Sequence, residues 1–105
     1  MLNITTALEQ AATLLDGATR HGLDQDDLPD RALFALHETT EIQHDLMRLA
    51  GLHWLPLGDL HEPAPALTQA ADLLHQAVVD LAPGQELTII GYELRLRRLA
   101  DQVTP

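Results

Sequence analysis

At 105 residues, with a formal charge of −10 and no cysteine, the chain has the size of one acidic domain, 1–105, with no disulfide and no thiolate chemistry. A hydrophobic share of 46% beside an aromatic share of 3% means a core of Leu, Ala, Ile and Val, and a chain of this length should bury roughly 65% of the surface its unfolded form exposes. The absence of serine excludes a serine hydrolase, any zinc would have to be held by His and carboxylate alone, and so acidic a surface repels a phosphate backbone while favouring a basic protein partner.

All six basic residues are arginine, and three of them, Arg95, Arg97 and Arg98, fall near the C-terminus, so the acidic excess lies ahead of residue 87. No apolar run approaches the ~20 residues of a membrane span. The start MLNITTALEQ has neither the basic nor the apolar region of a secretion signal, and a cytoplasmic location is expected.

The first helix is expected from Thr6, where Thr6-Ala7-Leu8-Glu9 has the form of a capping box, to His21-Gly22, with Gly22 in the left-handed position that ends a helix. Ile4, Leu8, Ala11, Leu15 and Ala18 recur at three and four and form its core stripe; Glu9, Thr13, Asp16 and Arg20 lie opposite. The linker GLDQDDLPD ends in Pro29, suited to a first helical turn, with its acids complementing the helix dipole. A calcium loop counted from Asp24 fails, because Pro29 stands where glycine is needed and Ala35 where a bidentate glutamate belongs.

The second helix, about 28 to 50, carries the stretch HETTEIQHDLMR. Ala32, Ala35, Thr39, Ile42, Leu46 and Leu49 form its apolar stripe, widened by Leu33, Leu36, Met47 and Ala50. At ~100° per residue His37, Glu41, His44 and Arg48 share a sector about 60° wide on the far side. Glu41-x-x-His44, and Asp72-x-x-His75 in the next helix, resemble in spacing the carboxylate-x-x-His pairs of dinuclear metal bundles, whose ligands all point inward. Here the first pair points outward and the second lies at a flank. A surface metal site on His37, Glu41 and His44 is therefore the secondary expectation, a solvated charge lattice the primary one.

Between Gly51 and Pro65 the connection GLHWLPLGDLHEPAP (the interhelix segment 51–64 and Pro65) is long for a helical bundle and unusually apolar. Two arrangements follow: the segment closes the open end of the bundle with Trp54 as a lid, or Trp54 and Leu55 anchor another chain. The third helix, about 65 to 82, begins with Pro65 and presents Leu67, Ala70, Ala71, Leu74, Ala77, Val78 and Leu81 to the core, ending before Pro83-Gly84.

The last segment, GQELTIIGYELRLRRLADQV, reads two ways. Residues 90 to 97 alternate like a strand, yet Ile89, Tyr92, Leu96, Leu99 and Val103 step by three and four, a complete helical stripe, and helix is preferred. Leu87, Ile90 and Leu94 then form a second stripe opposite the first, with Gly91 beside it, which must be buried by a second copy of the chain or by the LHWLPL segment of its own. Arg95 and Arg98 at the border are expected to meet acids of that second copy.

The chain shows no phosphate loop, dinucleotide fingerprint or internal repeat, and no cofactor is expected. The sequence thus predicts an all-α, three- or four-helix antiparallel bundle that is a non-enzymatic interaction or regulatory module. It is expected to act as a homodimer through Leu87, Ile90, Gly91, Leu94, Trp54 and Leu55, with a basic protein as a further partner. A metal-dependent enzyme or sensor on the outer histidines and carboxylates of the second and third helices is the alternative.

Overall fold

The computed structural model describes residues 4–25, 27–55, 58–78 and 84–103. They form four α-helices, α1 (Ile4–Leu23), α2 (Asp30–Ala50), α3 (Pro63–Val78) and α4 (Gln85–Val103), and among the described residues there is no strand. The ambiguous last segment is a helix, as its spacing of three and four requires. No helix of the described chain is long and apolar enough to cross a membrane. Leu57, Leu81 and Pro83 lie outside the described residues.

Helix termini differ from expectation in ways the local chemistry explains. α1 already starts at Ile4, so Thr6 sits exposed inside the first turn and does not cap the helix. Gly22 is a buried helical residue and not a left-handed terminus; a Cβ there would lie 2.6 Å from Leu36 Cδ1, so the glycine serves the close approach of α2. Among the described residues of the linker the left-handed one is instead Asp27, with φ 60°, a conformation Asp tolerates better than most residues. Pro29 stands just ahead of α2 and accepts the Leu33 amide at 3.0 Å.

α2 ends at Gly51, φ 73°, whose amide donates to Arg48 O while that of Leu52 donates to Met47 O, the paired bonds of a Schellman terminus. α3 opens at Pro63, two residues before Pro65; both prolines occupy the first turn, where no amide hydrogen is needed.

The helices sit around a square in the order α1, α2, α4, α3, with α1 diagonal to α4 and α2 diagonal to α3. Every neighbouring pair is antiparallel. His75 meets Glu93 and Asp72 meets Arg97 between α3 and α4, while Asp45 meets Tyr92 and Glu38 meets Arg95 between α2 and α4. The end of α1, the starts of α2 and α3 and the end of α4 gather around one cavity lined by His21, Leu28, Ala32, Pro63 and Val103.

This topology explains the long connection. α2 and α3 both start at the same end, so the chain from Gly51 to Glu62 must return the length of the bundle. The 21 residues of α2 rise ~31 Å at ~1.5 Å each, and the twelve connecting residues reach at most about 40 Å when extended.

The connection runs as a strap over α1. Arg20 Nη2 donates to Gly58 O at 2.9 Å, and the His61 amide donates to Gly17 O at 3.4 Å. Thr13, Gly17 and Arg20 therefore form a second covered face of α1, away from its core stripe. Arg20 is oriented for this by Asp16 one turn earlier, at 2.9 Å.

The interior is filled as the composition requires, by Leu15, Ile42, Leu46, Leu67, Leu74, Leu96 and Leu99, all fully buried, with Ala7, Ala11, Ala12, Ala18, Ala70 and Ala71 letting α1 and α3 approach. The Thr39 hydroxyl, fully buried, donates to Ala35 O at 2.7 Å and so enters the core satisfied. Leu49 was expected in the stripe of α2 but is 51% exposed in the last turn of that helix.

Candidate interaction surface on α4

The residues proposed for a metal, His37, Glu41 and His44, all lie exposed on the outer face of α2, where the helical wheel places them. Among the described residues no three His, Asp or Glu side chains come close enough together to hold a metal ion. Replacing the three together with Gln should leave the melting temperature nearly unchanged, since exposed substitutions away from caps and cores fall within roughly 0.5 kcal/mol. A thermal melt of the triple variant with and without zinc checks this, and a zinc-dependent rise in the parent that the variant lacks would reverse it.

The flanking pair of α3 is occupied by protein groups. Asp72 Oδ1 accepts from Arg97 Nη2 at 2.9 Å, Arg97 Nε donates to Glu93 Oε2 at 3.0 Å, and His75 Nδ1 lies 3.2 Å from Glu93 Oε1. Hydrogen bonds to Asp72 and then to Glu93 raise the Arg97 pKa above its ordinary value, so this cation stays charged. The four side chains clasp α3 to α4 and leave Glu93, only 7% exposed, fully engaged. Sequence reasoning missed Glu93, although its i, i+4 relation to Arg97 was a usable signal.

On the α2 side, Tyr92 Oη donates to Asp45 Oδ2 at 3.1 Å, Arg48 also pairs with Asp45, and Arg95 lies 3.5 Å from Glu38 and over the Tyr92 ring. Arg95 is therefore paired within its own chain with Glu38. Arg98 is exposed.

Between these two clasped flanks lies the outer face of α4. Leu87 is 73% and Leu94 61% exposed, while Ile90 and Gly91 between them are half-buried. The described part of the LHWLPL segment, residues 52–55, leaves Leu87 and Leu94 largely uncovered. Trp54 is no lid either: it is 72% exposed, and its neighbour Leu55 packs against the core in its place. Leu55 takes the inward position, and the indole is left on the solvent side.

The structure sets Trp54 a few residues past the end of α2, at the end of the bundle where α4 begins, so Trp54, Leu49 and Leu87 are exposed apolar groups near one pole. Phe34, 71% exposed in the second turn of α2, is a further one, and nothing in its helical position announced it, since a lone aromatic off the stripe carries no periodic signal. Compared with protein families, curated proteins and solved structures, the chain matches none of them.

Proposed function

We propose that the chain is a non-enzymatic protein-interaction module that acts as a homodimer through the outer face of α4. The observation that carries this reading is the exposure of Leu87 and Leu94 on one line of a helix whose two flanks are already closed by polar clasps. A two-fold contact buries such a patch twice.

The size of the effect follows from burial. Three large aliphatic side chains per copy, part of whose surface is already covered, gain on the order of 6–12 kcal/mol together, against about 4–15 kcal/mol for lost freedom of motion. A dimer held by this patch alone is weak and concentration-dependent. Trp54, at the same pole, supports extension of the surface beyond α4. The charge of −10 supports a basic protein as the further partner. The setting we propose is the cytoplasm, where disulfides are rare and a chain without cysteine forgoes nothing.

Light scattering coupled to size exclusion tests the reading. The parent should approach twice the single-chain 11.5 kDa as concentration rises. The variant with Leu87, Ile90 and Leu94 all changed to Gln should stay at 11.5 kDa with its helical signal intact. A parent that keeps the single-chain mass at every concentration overturns the dimer, and a triple variant that still dimerises places the contact elsewhere.

A further inference from the structure

We infer that the second copy docks on α4 antiparallel, with Leu87 of each chain opposite Leu94 of the partner subunit and Gly91 beside the two-fold axis. The inference rests on the α4 dimer proposed above and adds its geometry.

Gly91 supplies the first argument. It lies inside a helix, its φ is not positive, and among the described residues a Cβ built on it meets nothing within 4 Å. Neither backbone conformation nor packing in its own chain asks for glycine there, and mid-helix glycine weakens a helix relative to alanine. Close approach of a second backbone does ask for it, as at other helix crossings where the side chain must be absent. The contrast with Gly17 and Gly22 is direct, since a Cβ at either of those would collide within its own chain at 2.4 and 2.6 Å.

Register supplies the second argument. Leu87 and Leu94 are seven residues apart, which brings them to within ~20° of one line along the helix, with Ile90 and Gly91 about 50° to either side. An antiparallel pair centred between residues 90 and 91 sets each Leu87 against a Leu94, and the two central residues at the crossing. Sliding the pair by one heptad to centre on Leu94 would set Leu87 against the exposed, charged Asp101.

Charge decides between the two directions. Arg98 and Asp101 are exposed toward the same outer side, beyond Leu94. In a parallel pair, Arg98 would face Arg98 of the partner subunit, and the two aspartates would face likewise. In the antiparallel pair the two arginines are separated by fifteen residues of rise, ~22 Å, well past the ~8 Å Debye length of physiological salt.

The absence of cysteine makes the test clean. Single variants Leu87→Cys and Leu94→Cys are mixed in equal amounts, oxidised gently and mapped by mass spectrometry. The antiparallel pair should give chiefly the mixed 87–94 disulfide. Like positions stand ~10 Å apart along the axis, beyond the ~7 Å Cα separation a disulfide spans.

Predominant 87–87 and 94–94 disulfides, with light scattering still showing a dimer, overturn the antiparallel geometry and leave the α4 dimer standing. A dimer that forms neither kind of cross-link overturns both, and a chain monomeric at all concentrations overturns the α4 dimer itself. A second variant reads the crossing: Gly91→Ala should raise the melting temperature of the monomer yet weaken association at least tenfold. A dimer of unchanged affinity in Gly91→Leu would overturn the close approach.

Discussion

Leu96→Ala should destabilise the bundle by about 3–5 kcal/mol, as deletion of a fully buried leucine does, while Leu94→Ala, two residues earlier in the same helix, should cost the monomer less than roughly 0.5 kcal/mol. Leu96 has no exposed surface and sits in a core shared with Leu15, Ile42, Leu46, Leu67 and Leu74. Its removal leaves a cavity that rigid helix packing closes only in part. Leu94 is 61% exposed, so truncation removes few contacts from the isolated chain.

The measurement is a urea titration of each variant at low protein concentration, paired with light scattering at high concentration. Leu94→Ala should keep its midpoint and lose mass at high concentration; Leu96→Ala should lose its midpoint. A Leu94 variant as unstable as the Leu96 one would mean that the outer line of α4 is part of the monomer's own core, and the interaction reading would fall with it.

Much of the bundle was legible because its signal is periodic. The stripes through Leu8, Leu15, Ile42, Leu46, Leu74, Leu96 and Leu99 follow a spacing of three and four, and burial follows that spacing because a helix has one face to hide. The second stripe of α4 was legible for the same reason, and so was the outward direction of His37, Glu41 and His44.

What was not legible depends on which elements meet, and that information is not periodic. Asp72 and His75 could be placed at a flank, but their partners Glu93 and Arg97 come from a helix some twenty residues away. Trp54 was given a burial that fell to Leu55, since in an irregular segment no spacing says which of two adjacent apolar residues turns inward. The route of the segment itself was misplaced. A connection across an open end and one along the whole bundle differ only in whether α2 and α3 point the same way, and the length of the loop was the one clue to it. The seat of the strap on α1 was hidden for the same reason, because Thr13, Asp16 and Arg20 are polar enough for solvent and equally suited to hold a strap.

Gly17→Ala isolates the contribution of that strap. In an unobstructed helix interior the change is favourable, by up to about 1 kcal/mol. At position 17 the new methyl would stand 2.4 Å from Asp59 O and 2.8 Å from His61 Cδ2. The first of these is backbone, fixed on one side by Arg20 holding Gly58 O and on the other by the His61 amide bonded to Gly17 O, so it cannot swing aside as a flexible side chain would. Overpacking of this kind costs about 1–3 kcal/mol, and the net expectation is a loss of up to about 2 kcal/mol.

Gly91→Ala, measured under monomeric conditions, is the internal control: it is also helical, its methyl meets nothing, and it should therefore show the propensity gain alone. The gap between the two variants, about 1–3 kcal/mol by these arguments, measures how firmly the strap is seated. Trp54 lies on the strap and is the one tryptophan of the chain, so its fluorescence reports whether the segment moves before the helices melt. If the strap is bound as described, Gly17→Ala should produce a Trp54 change that precedes the loss of helical signal on heating. Equal stabilisation by both substitutions would show that the segment yields at no cost, and that α1 is held by its core face alone.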